Sequence, residues 1–332
     1  MDAPRVVLIG FGNVGRSLAL ELIKRGIATI VGVSSSKGSV VVDSRDSLEE
    51  IEKLAVSRQK LDEHKMFREG FCIDELVGAV KPEVAFVTIP PSYESGEPNR
   101  SIYNMLVESG VGIITSDKTV LALEYHDFMN KALEHGVYVG YRATVAAGTP
   151  AIDFARGIRG RGLNELVSIL NSTTNYILTL VEEGYSVDRA IEKAIEAGVA
   201  EPDPSVDVDG WDAAAKIAIL ACELGFNVTL RNVSRRSLRS LSESEVRRAL
   251  REGFRYKYVA KLDSKGKASV EPTALREDEK LAGVRGMRNA VKAVVEDEEL
   301  YIEGPAGPAW RTARVMITDL IEYLGCRGRW KH

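Results

Sequence analysis

The chain has 332 residues, a formal net charge of −4 and a hydrophobic fraction of 45%, which suit one large or two ordinary domains with full cores. This weak acidity gives no electrostatic reason to bind nucleic acid or an anionic membrane, and three scattered cysteines form neither a disulfide framework nor a zinc set. With neither a signal peptide nor a bilayer-spanning run in the sequence, we expect a cytoplasmic protein acting on a small molecule.

The first part of the chain alternates predicted strands and helices. A buried strand over 5–9 is followed by a glycine turn, a helix over 14–24 and a strand over 29–33. The alternation continues through a helix at 47–55, strand 84–89, helix 99–109, strand 111–115, helix 125–135 and strand 137–141. This order predicts a doubly wound α/β domain of the Rossmann type over residues 1–141.

The pattern changes near Gly148. Helical spacing and stop signals predict a set of helices and a few strands in the second part. The helices are predicted at 152–158, 174–183, 187–197, 211–224 and 241–251, with strands at 166–171 and within 256–303, and a final helix at 312–324. We therefore expect a second, α+β domain over residues 142–309.

The first motif is a glycine turn between a strand and a helix, the place where a dinucleotide fingerprint belongs. Gly10 permits the tight turn, Gly12 lets the backbone approach a pyrophosphate, and Gly15 lets helix and strand pack closely. The predicted cofactor-binding residues of this turn are Gly10, Phe11, Gly12, Asn13, Val14 and Gly15. A glycine turn without a ligand is the alternative, and the flanking strand and helix disfavour it.

The end of the second predicted strand bears on the choice of cofactor. NAD sites carry an acidic residue there, about 20 residues after the glycines, to hold the ribose hydroxyls. This chain has Ser34, Ser35, Ser36 and Lys37 instead, with no carboxylate to repel a 2′-phosphate. The segment therefore favours NADP over NAD, although a polar turn without preference is also consistent with it.

Two lysines stand at candidate reaction positions. Lys118 follows the strand at 111–115, and ligands bind outside the carboxyl ends of such strands, although a surface turn also explains a lone lysine there. The second, Lys216, closes the run EPDPSVDVDGWDAAAK that begins at Glu201. Asp212 precedes it by one helical turn and favours its ammonium form, an acid suited to protonating an aldehyde oxygen during reduction.

The carboxylates of the same run suit a substrate amine, and Glu201, Asp207 and Asp209 are the candidates. A calcium loop is a poor alternative, because a loop aligned on Gly210 puts Lys216 where a bidentate glutamate is required. A solvated acidic loop with an ordinary helical ion pair, worth only about 0.3–0.5 kcal/mol, remains open at this point.

Six segments together resemble homoserine dehydrogenases, and the resemblance runs the length of the chain. They are GFGNVGR from Gly10, SYESGEP from Ser92, TSDK from Thr115, ATVAAGTP from Ala143, TTNYILT from Thr173 and the acidic run from Glu201. The family implies NAD(P)-linked interconversion of L-homoserine and L-aspartate 4-semialdehyde, in the branch that leads to threonine and methionine. It also implies a homodimer, a catalytic and dimerisation domain over 142–309, and a C-terminal helix (310–325) packed on the nucleotide domain. The sequence resembles the short form without a regulatory domain.

The resemblance assigns roles position by position. Lys216, Asp212 and Lys118 correspond to catalytic residues, with Lys118 also beside the nicotinamide; Glu201, Asp207 and Thr173 correspond to substrate contacts. Gly307 belongs to a late segment that returns to the nucleotide. Backbone carbonyls of Val145, Ala147 and Thr149 correspond to a site for a monovalent cation, Na⁺ or K⁺.

Three positions depart from the family pattern: Arg142 replaces a glutamate, Ser172 a glycine and Val199 a tyrosine. We expect a positive charge at Arg142 to oppose a cation, and the other two to alter the substrate pocket. These departures motivate an alternative function, an NADP-binding homologue with weak catalysis and a structural or regulatory role. The retained Lys216 and Asp212 favour the enzyme.

Overall fold

The computed structural model describes residues 3–328, so residues 1 and 2 of the predicted first domain lie outside the described range. The chain divides into two compact units, Met1–Thr144 with Gly307–His332, and Val145–Ala306. In the described part of the chain, no helix has the length and apolar character needed to cross a membrane.

The first unit is a seven-stranded sheet with helices. Its strands are β1 (Arg5–Ile9), β2 (Thr29–Ser35), β3 (Gly38–Val41), β4 (Arg68–Glu69), β5 (Val84–Val87), β6 (Gly112–Thr115) and β7 (Val139–Gly140). Its helices are α1 (Asn13–Arg25), α2 (Arg45–Ser57), α3 (Ile73–Val80), α4 (Asn99–Glu108), α5 (Thr119–Glu134) and, from the C-terminal segment, α12 (Ala309–Cys326). Short 3₁₀ turns lie at Leu61–Glu63 and Arg142–Thr144.

The strand order in this sheet is β4-β3-β2-β1-β5-β6-β7. Strands β2, β1, β5, β6 and β7 run parallel, whereas β3 and β4 add an antiparallel edge. Fully buried β1 and β5 side chains, such as Leu8 and Phe86, form a core with apolar residues of α1 and α12, including Leu18 and Ile317. The predicted Rossmann-type α/β fold is confirmed.

The second unit is α+β, as predicted. Its strands are β8 (Leu163–Ile169), β9 (Ser234–Arg235), β10 (Phe254–Asp263), β11 (Ala268–Arg276), β12 (Arg288–Val295) and β13 (Glu298–Pro305). Its helices are α6 (Ala151–Ile158), α7 (Ser172–Glu182), α8 (Val187–Glu196), α9 (Ser205–Val208), α10 (Trp211–Glu223) and α11 (Glu243–Arg251). The sheet order is β13-β12-β8-β10-β11-β9, so β8 lies between two antiparallel neighbours in the middle of the sheet.

The start of α10 is tightly constrained by its surroundings. Gly210 has φ = 80°, and a Cβ there would lie 2.3 Å from the Tyr258 hydroxyl oxygen, so only glycine fits. The guanidinium of Arg235 stacks on the ring of Trp211, 3.3 Å from its centroid. The first turn of α10, which carries Asp212, therefore has a well-defined position in this unit.

Candidate functional site

The glycine turn has the geometry expected of a dinucleotide loop. Gly10 has φ = 101°, and a Cβ there would lie 2.8 Å from the Thr88 carbonyl oxygen. A Cβ at Gly15 would lie 2.1 Å from the Gly10 carbonyl oxygen, so helix and turn touch through backbone alone. At Gly12, by contrast, a Cβ would meet no atom of the described residues within 4 Å, and no side chain among them caps the start of α1. The first N–H groups of α1 are thus available to a pyrophosphate.

The remaining residues of the turn differ in exposure. Asn13 is exposed and Val14 half-buried. Phe11 is buried in the core of the first unit, with the Arg16 guanidinium 5.6 Å from its ring centroid. Phe11 can therefore offer a ligand its backbone but little of its side chain.

Lys37, a predicted cofactor-binding residue, lies at the tip of the β2–β3 hairpin and is exposed. Its Nζ donates to Oδ2 of Asp62, from the 3₁₀ turn Leu61–Glu63, at 2.5 Å. The hydrogen bond and charge of Asp62 raise the pKa of Lys37, and the same bond lowers the pKa of Asp62. The sequence segment lacked a carboxylate, but the fold supplies one from a distant position.

Lys118 lies in the short turn after β6 and directly precedes α5, at the carboxyl end of the parallel strand. The preceding residue, Asp117, is buried and accepts hydrogen bonds from the Asn99 side chain (3.0 Å) and from the Thr119 backbone (3.0 Å) and hydroxyl (2.8 Å). This network ties the turn to α4 and sets the backbone from which Lys118 projects.

The predicted acid pair is present on α10. Lys216 Nζ lies 2.6 Å from Oδ2 of Asp212, and it donates to the backbone carbonyl of Leu170 at 2.7 Å. The two side chains are 14% and 13% exposed, so the ammonium is largely shielded yet reachable. Both partners hold the lysine nitrogen in a defined place, which makes it a candidate proton donor.

Asn171 joins this pair to Asp207, and sequence reasoning missed it. Its side-chain N–H₂ donates to Asp207 Oδ1 at 2.6 Å and to Asp212 Oδ2 at 2.9 Å. Burial and the charge of Asp212 raise the pKa of Asp207. A local signal existed, since asparagine is a favoured N-cap residue and Asn171 caps α7, but the helix was predicted to begin only at residue 174.

Thr173, at the start of α7, lies beside the same carboxylates. Its hydroxyl donates to the carbonyl of Val199 at 3.4 Å, and it is among the polar groups that lower the pKa of Asp207 against the effect of burial. The structure thus brings together four of the predicted site residues: Lys216, Asp212, Asp207 and Thr173.

The other carboxylates of the acidic run have different surroundings. Glu201 is exposed, and its side chain makes no hydrogen bond or ion pair with the described residues 3–328. Asp203 accepts from the backbone N–H of Ser205 (3.0 Å), and Asp209 accepts from the Ser237 hydroxyl (2.6 Å). Asp203 and Asp209 therefore stabilise the loop, whereas no contact among the described residues gives the Glu201 side chain a structural role.

The proposed cation loop is strained. Ala146 has φ = 47°, a left-handed conformation unfavourable for a residue with a Cβ, and such strain often accompanies function. Thr149 Oγ1 is buried and has no hydrogen-bond partner among residues 3–328, and a Cβ at Gly304 would lie 2.5 Å from it. Val145 is buried and Ala147 half-buried. Neutral carbonyl oxygens and an unpartnered hydroxyl suit a hard monovalent cation. Among the described residues, no cluster of three or more His, Cys, Asp or Glu side chains could hold a metal.

The three departures from the family pattern are accommodated. Arg142 donates through Nη1 to Asp319 Oδ1 at 2.6 Å and also bonds Glu322, so its charge is paired by two carboxylates of α12. Ser172 has no left-handed backbone that would require glycine. Val199 accepts the hydrogen bond of Thr173 with its backbone carbonyl, a group that any residue supplies.

Gly307 belongs to the first unit, as does α12. Its carbonyl accepts from the hydroxyl of Thr312 at 3.1 Å, so the segment is bonded to the first turn of α12. Apolar residues of α12, including Met316 and Leu320, share the core that contains β1.

A dinucleotide loop in one unit, and a shielded lysine–aspartate acid in the other, define a nicotinamide-dependent dehydrogenase. Comparisons with known proteins narrow this class. The family model "Homoserine dehydrogenase" matches residues 150–321. The homoserine dehydrogenase of Sulfurisphaera tokodaii is 31% identical, over 96% of this chain and 97% of that protein. The NAD(+)-dependent homoserine dehydrogenase of Pseudomonas canavaninivorans is 30% identical, over 97% and 96%.

A solved structure extends the agreement to three dimensions. A hyperthermophilic archaeal homoserine dehydrogenase in complex with NADPH superposes with a TM-score of 0.83 at 28% identity, covering 97% of each chain. The chain belongs to the homoserine dehydrogenase family, and it is an NAD(P)-dependent oxidoreductase.

Proposed function

We propose that this protein interconverts L-homoserine and L-aspartate 4-semialdehyde with NADP(H), and with NAD(H) as a possible second cofactor. The observation that carries the proposal is the Lys216 ammonium, held at 2.6 Å by Asp212 and at 2.7 Å by the Leu170 carbonyl. Family membership supplies the substrate and the place in threonine and methionine biosynthesis.

The nicotinamide cofactor, when bound, exchanges a hydride with C4 of the substrate. In the direction of reduction, Lys216 Nζ donates a proton to the aldehyde oxygen as the alcohol forms. Asp212 and the Leu170 carbonyl hold the ammonium in place before transfer. In the reverse direction the same nitrogen, once neutral, takes the hydroxyl proton.

Substrate recognition is assigned to the carboxylates and Thr173. A homoserine ammonium needs anionic partners, and Asp207 and exposed Glu201 provide them in our proposal. The lack of a structural partner for the Glu201 side chain among residues 3–328 supports a ligand role. Lys118, at the carboxyl end of β6, is the proposed contact to nicotinamide and substrate.

Cofactor binding is assigned to the glycine turn and to Lys37. The turn would hold the pyrophosphate on α1, and Gly307 is the proposed contact from the late segment. Lys37 is the proposed partner of an adenosine 2′-phosphate. Because Asp62 already bonds this lysine, we propose that NADP binds by displacing Asp62, which weakens its advantage over NAD.

We further propose a homodimer in the cytoplasm, a nucleotide-binding role for the first unit and a catalytic and dimerising role for the second. A bound Na⁺ or K⁺ would be held by the carbonyls of Val145, Ala147 and Thr149, where the buried Thr149 hydroxyl offers one more oxygen. Light scattering of purified protein would test the dimer.

The test of the function is homoserine-dependent reduction of NADP⁺ and NAD⁺ by purified protein, with and without sodium or potassium. Turnover with at least one cofactor is expected. Tight NADPH binding without turnover above blank would contradict the proposal and restore the alternative, a weakly catalytic NADP-binding homologue. The comparisons do not favour that alternative, and the accommodated departures at Arg142, Ser172 and Val199 remove its motivation.

A further inference from the structure

Asn171 is placed where a side chain can control two carboxylates at once. It is 3% exposed and lies between the end of β8 and the first residue of α7. Its Oδ1 accepts from the Thr174 backbone N–H at 2.8 Å and from the Thr174 hydroxyl at 3.0 Å. These two donors fix the orientation of the amide, since a flipped group would set its N–H₂ against the Thr174 N–H.

The fixed amide points both of its N–H bonds at carboxylates. One goes to Asp207 and the other to Asp212, so all four hydrogen-bonding positions of the side chain are used. Because one oxygen of each carboxylate accepts from the same amide nitrogen, two negative charges are held close together in a largely buried site. Such carboxylate pairs repel, and one member then tends to take up a proton.

The surroundings of Asp207 show what opposes that protonation. Asp212 and Lys216, both from α10, are the charged groups that act on Asp207, and α7 adds the polar Asn171 and Thr173. Burial and Asp212 raise the pKa of Asp207, whereas Asn171, Lys216 and Thr173 lower it. Among the neighbours that lower the pKa, Asn171 has the largest effect.

We propose that Asn171 is a positioning residue of the reaction, which holds Asp207 and Asp212 side by side with both carboxylates ionised. This inference rests on the proposed function, in which Asp207 binds the substrate ammonium and Asp212 holds Lys216. Asn171 contacts neither reacting atom in this scheme. Asn171 keeps Asp207, which binds the substrate ammonium, from sharing a proton with Asp212, which holds the Lys216 ammonium.

The first test needs no activity. The carboxyl carbon of Asp207 is titrated by ¹³C NMR in ligand-free parent and Asn171→Ala protein, with the resonance identified by its loss in Asp207→Asn. The pKa of Asp207 should be higher in Asn171→Ala, because a donor to the ionised form is gone. An unchanged or lower pKa would overturn the proposal. This readout also separates the two hypotheses, because a parent without homoserine turnover refutes the function while the titration still decides the role of Asn171.

The second test is the pH profile of homoserine oxidation. In Asn171→Ala the acid limb of kcat/KM should move to higher pH, and kcat/KM on that limb should fall about ten- to hundredfold, the worth of a hydrogen bond to a charged group. The matched control is Asn175→Ala, another buried asparagine of α7, which donates to the Gly286 and Arg288 carbonyls instead. An acid limb that stays in place in Asn171→Ala, or moves equally in the control, would refute the positioning role.

A third variant covers the case in which Asn171→Ala does not fold. Thr174→Val keeps the backbone N–H that donates to Asn171 Oδ1. It removes only the Thr174 hydroxyl, the second donor to that oxygen. The acid limb should shift in the same direction by a smaller amount. No shift in a folded Thr174→Val protein, together with an unfolded Asn171→Ala, would count against the proposal.

Discussion

Replacing Lys216 with alanine removes the proposed proton donor, together with its ion pair with Asp212. Loss of a general acid costs about 10²–10⁴-fold in rate. At about 1.36 kcal/mol per decade, this corresponds to about 3–5 kcal/mol of transition-state stabilisation. The loss should appear in kcat for homoserine oxidation, because Lys216 acts on the reacting oxygen. Cofactor affinity should stay close to the parent value, since the glycine turn lies in the other unit.

The structural cost of the same substitution can be separated from the chemical one. Asp212 and the Leu170 carbonyl lose a donor, but Asp212 keeps its hydrogen bond from Asn171. An acceptor left without its partner costs about 1–3 kcal/mol, and partial exposure of this site places the effect at the low end. For a protein of this size that is a fall of a few degrees in Tm. The variant should therefore remain folded at the assay temperature.

Lys216→Arg sharpens the test. An arginine restores a positive charge beside Asp212, so most of the lost stability should return, but a guanidinium does not release its proton and cannot act as the acid. Lys193→Ala, a lysine of α8 that contacts the ring of Tyr185, serves as the control for a lost surface charge. Steady-state NADP⁺ reduction and NADPH fluorescence titration give the two readouts. Activity of Lys216→Ala within threefold of the parent, or full activity of Lys216→Arg, would refute the assignment.

Three further substitutions test other parts of the molecule. Arg142→Met leaves Asp319, which is fully buried, without its guanidinium, so the unfolding free energy should fall by about 3 kcal/mol; a loss below about 1 kcal/mol in thermal denaturation contradicts the ion pair. Asp62→Asn frees Lys37 and should tighten NADP⁺ severalfold relative to NAD⁺ by calorimetry at low salt, and an unchanged ratio would refute the competition. Asp207→Asn should raise Tm at pH 7 while lowering kcat/KM. The folded-state pKa of Asp207 lies above its ordinary value of 3.8. Ionisation of Asp207 therefore destabilises the fold as the pH rises from 3.8 through the folded-state pKa, and an asparagine avoids this loss. Below pH 3.8 the aspartate is protonated in both states, so the gain in Tm should vanish there.

The fold class followed from the sequence because its signals are local and repeated. Continuous apolar strands, a glycine turn and helical spacing were sufficient for the parallel part of the first sheet, and β1, β5 and β6 lie where they were predicted. The antiparallel edge was missed. Strand β3 has only four residues and is joined to β2 by a two-residue turn, so its pairing partner decides its structure more than its own composition.

The start of α5 shows a second limit. The sequence predicted a helix over 125–135, whereas α5 begins at Thr119. Glu124, inside it, has a non-helical φ of −151° and accepts a hydrogen bond from the Arg100 guanidinium at 2.7 Å. The bend interrupts the helical periodicity, so the first turns after Lys118 carry no continuous pattern. Asp117, which precedes the N-cap residue Lys118, accepts from the Thr119 N–H, a local aspartate turn that the sequence allowed.

At the candidate site, the sequence predicted which residues are neighbours along one helix. It did not predict which residues of different elements contact each other. Asp212 and Lys216 are one helical turn apart, and the structure pairs them as the spacing predicted. Asn171 precedes Asp207 and Asp212 by 36 and 41 residues, so no local pattern connects them. The same holds for Lys37 and Asp62, which a reading of the residues after β2 could not bring together.

The site combines a rigid and an adaptable part, and the division follows the fold. The Leu170 carbonyl and the Asn171 amide come from consecutive residues at the end of β8, in the middle of the second sheet. They hold Lys216 and Asp212 on a helix whose start is itself confined by Gly210. The proposed proton donor has to be placed to within about 0.5 Å, and helices and strands hold side chains more precisely than loops do. Recognition of an ammonium tolerates more movement, which suits the exposed carboxylate of Glu201 on a loop.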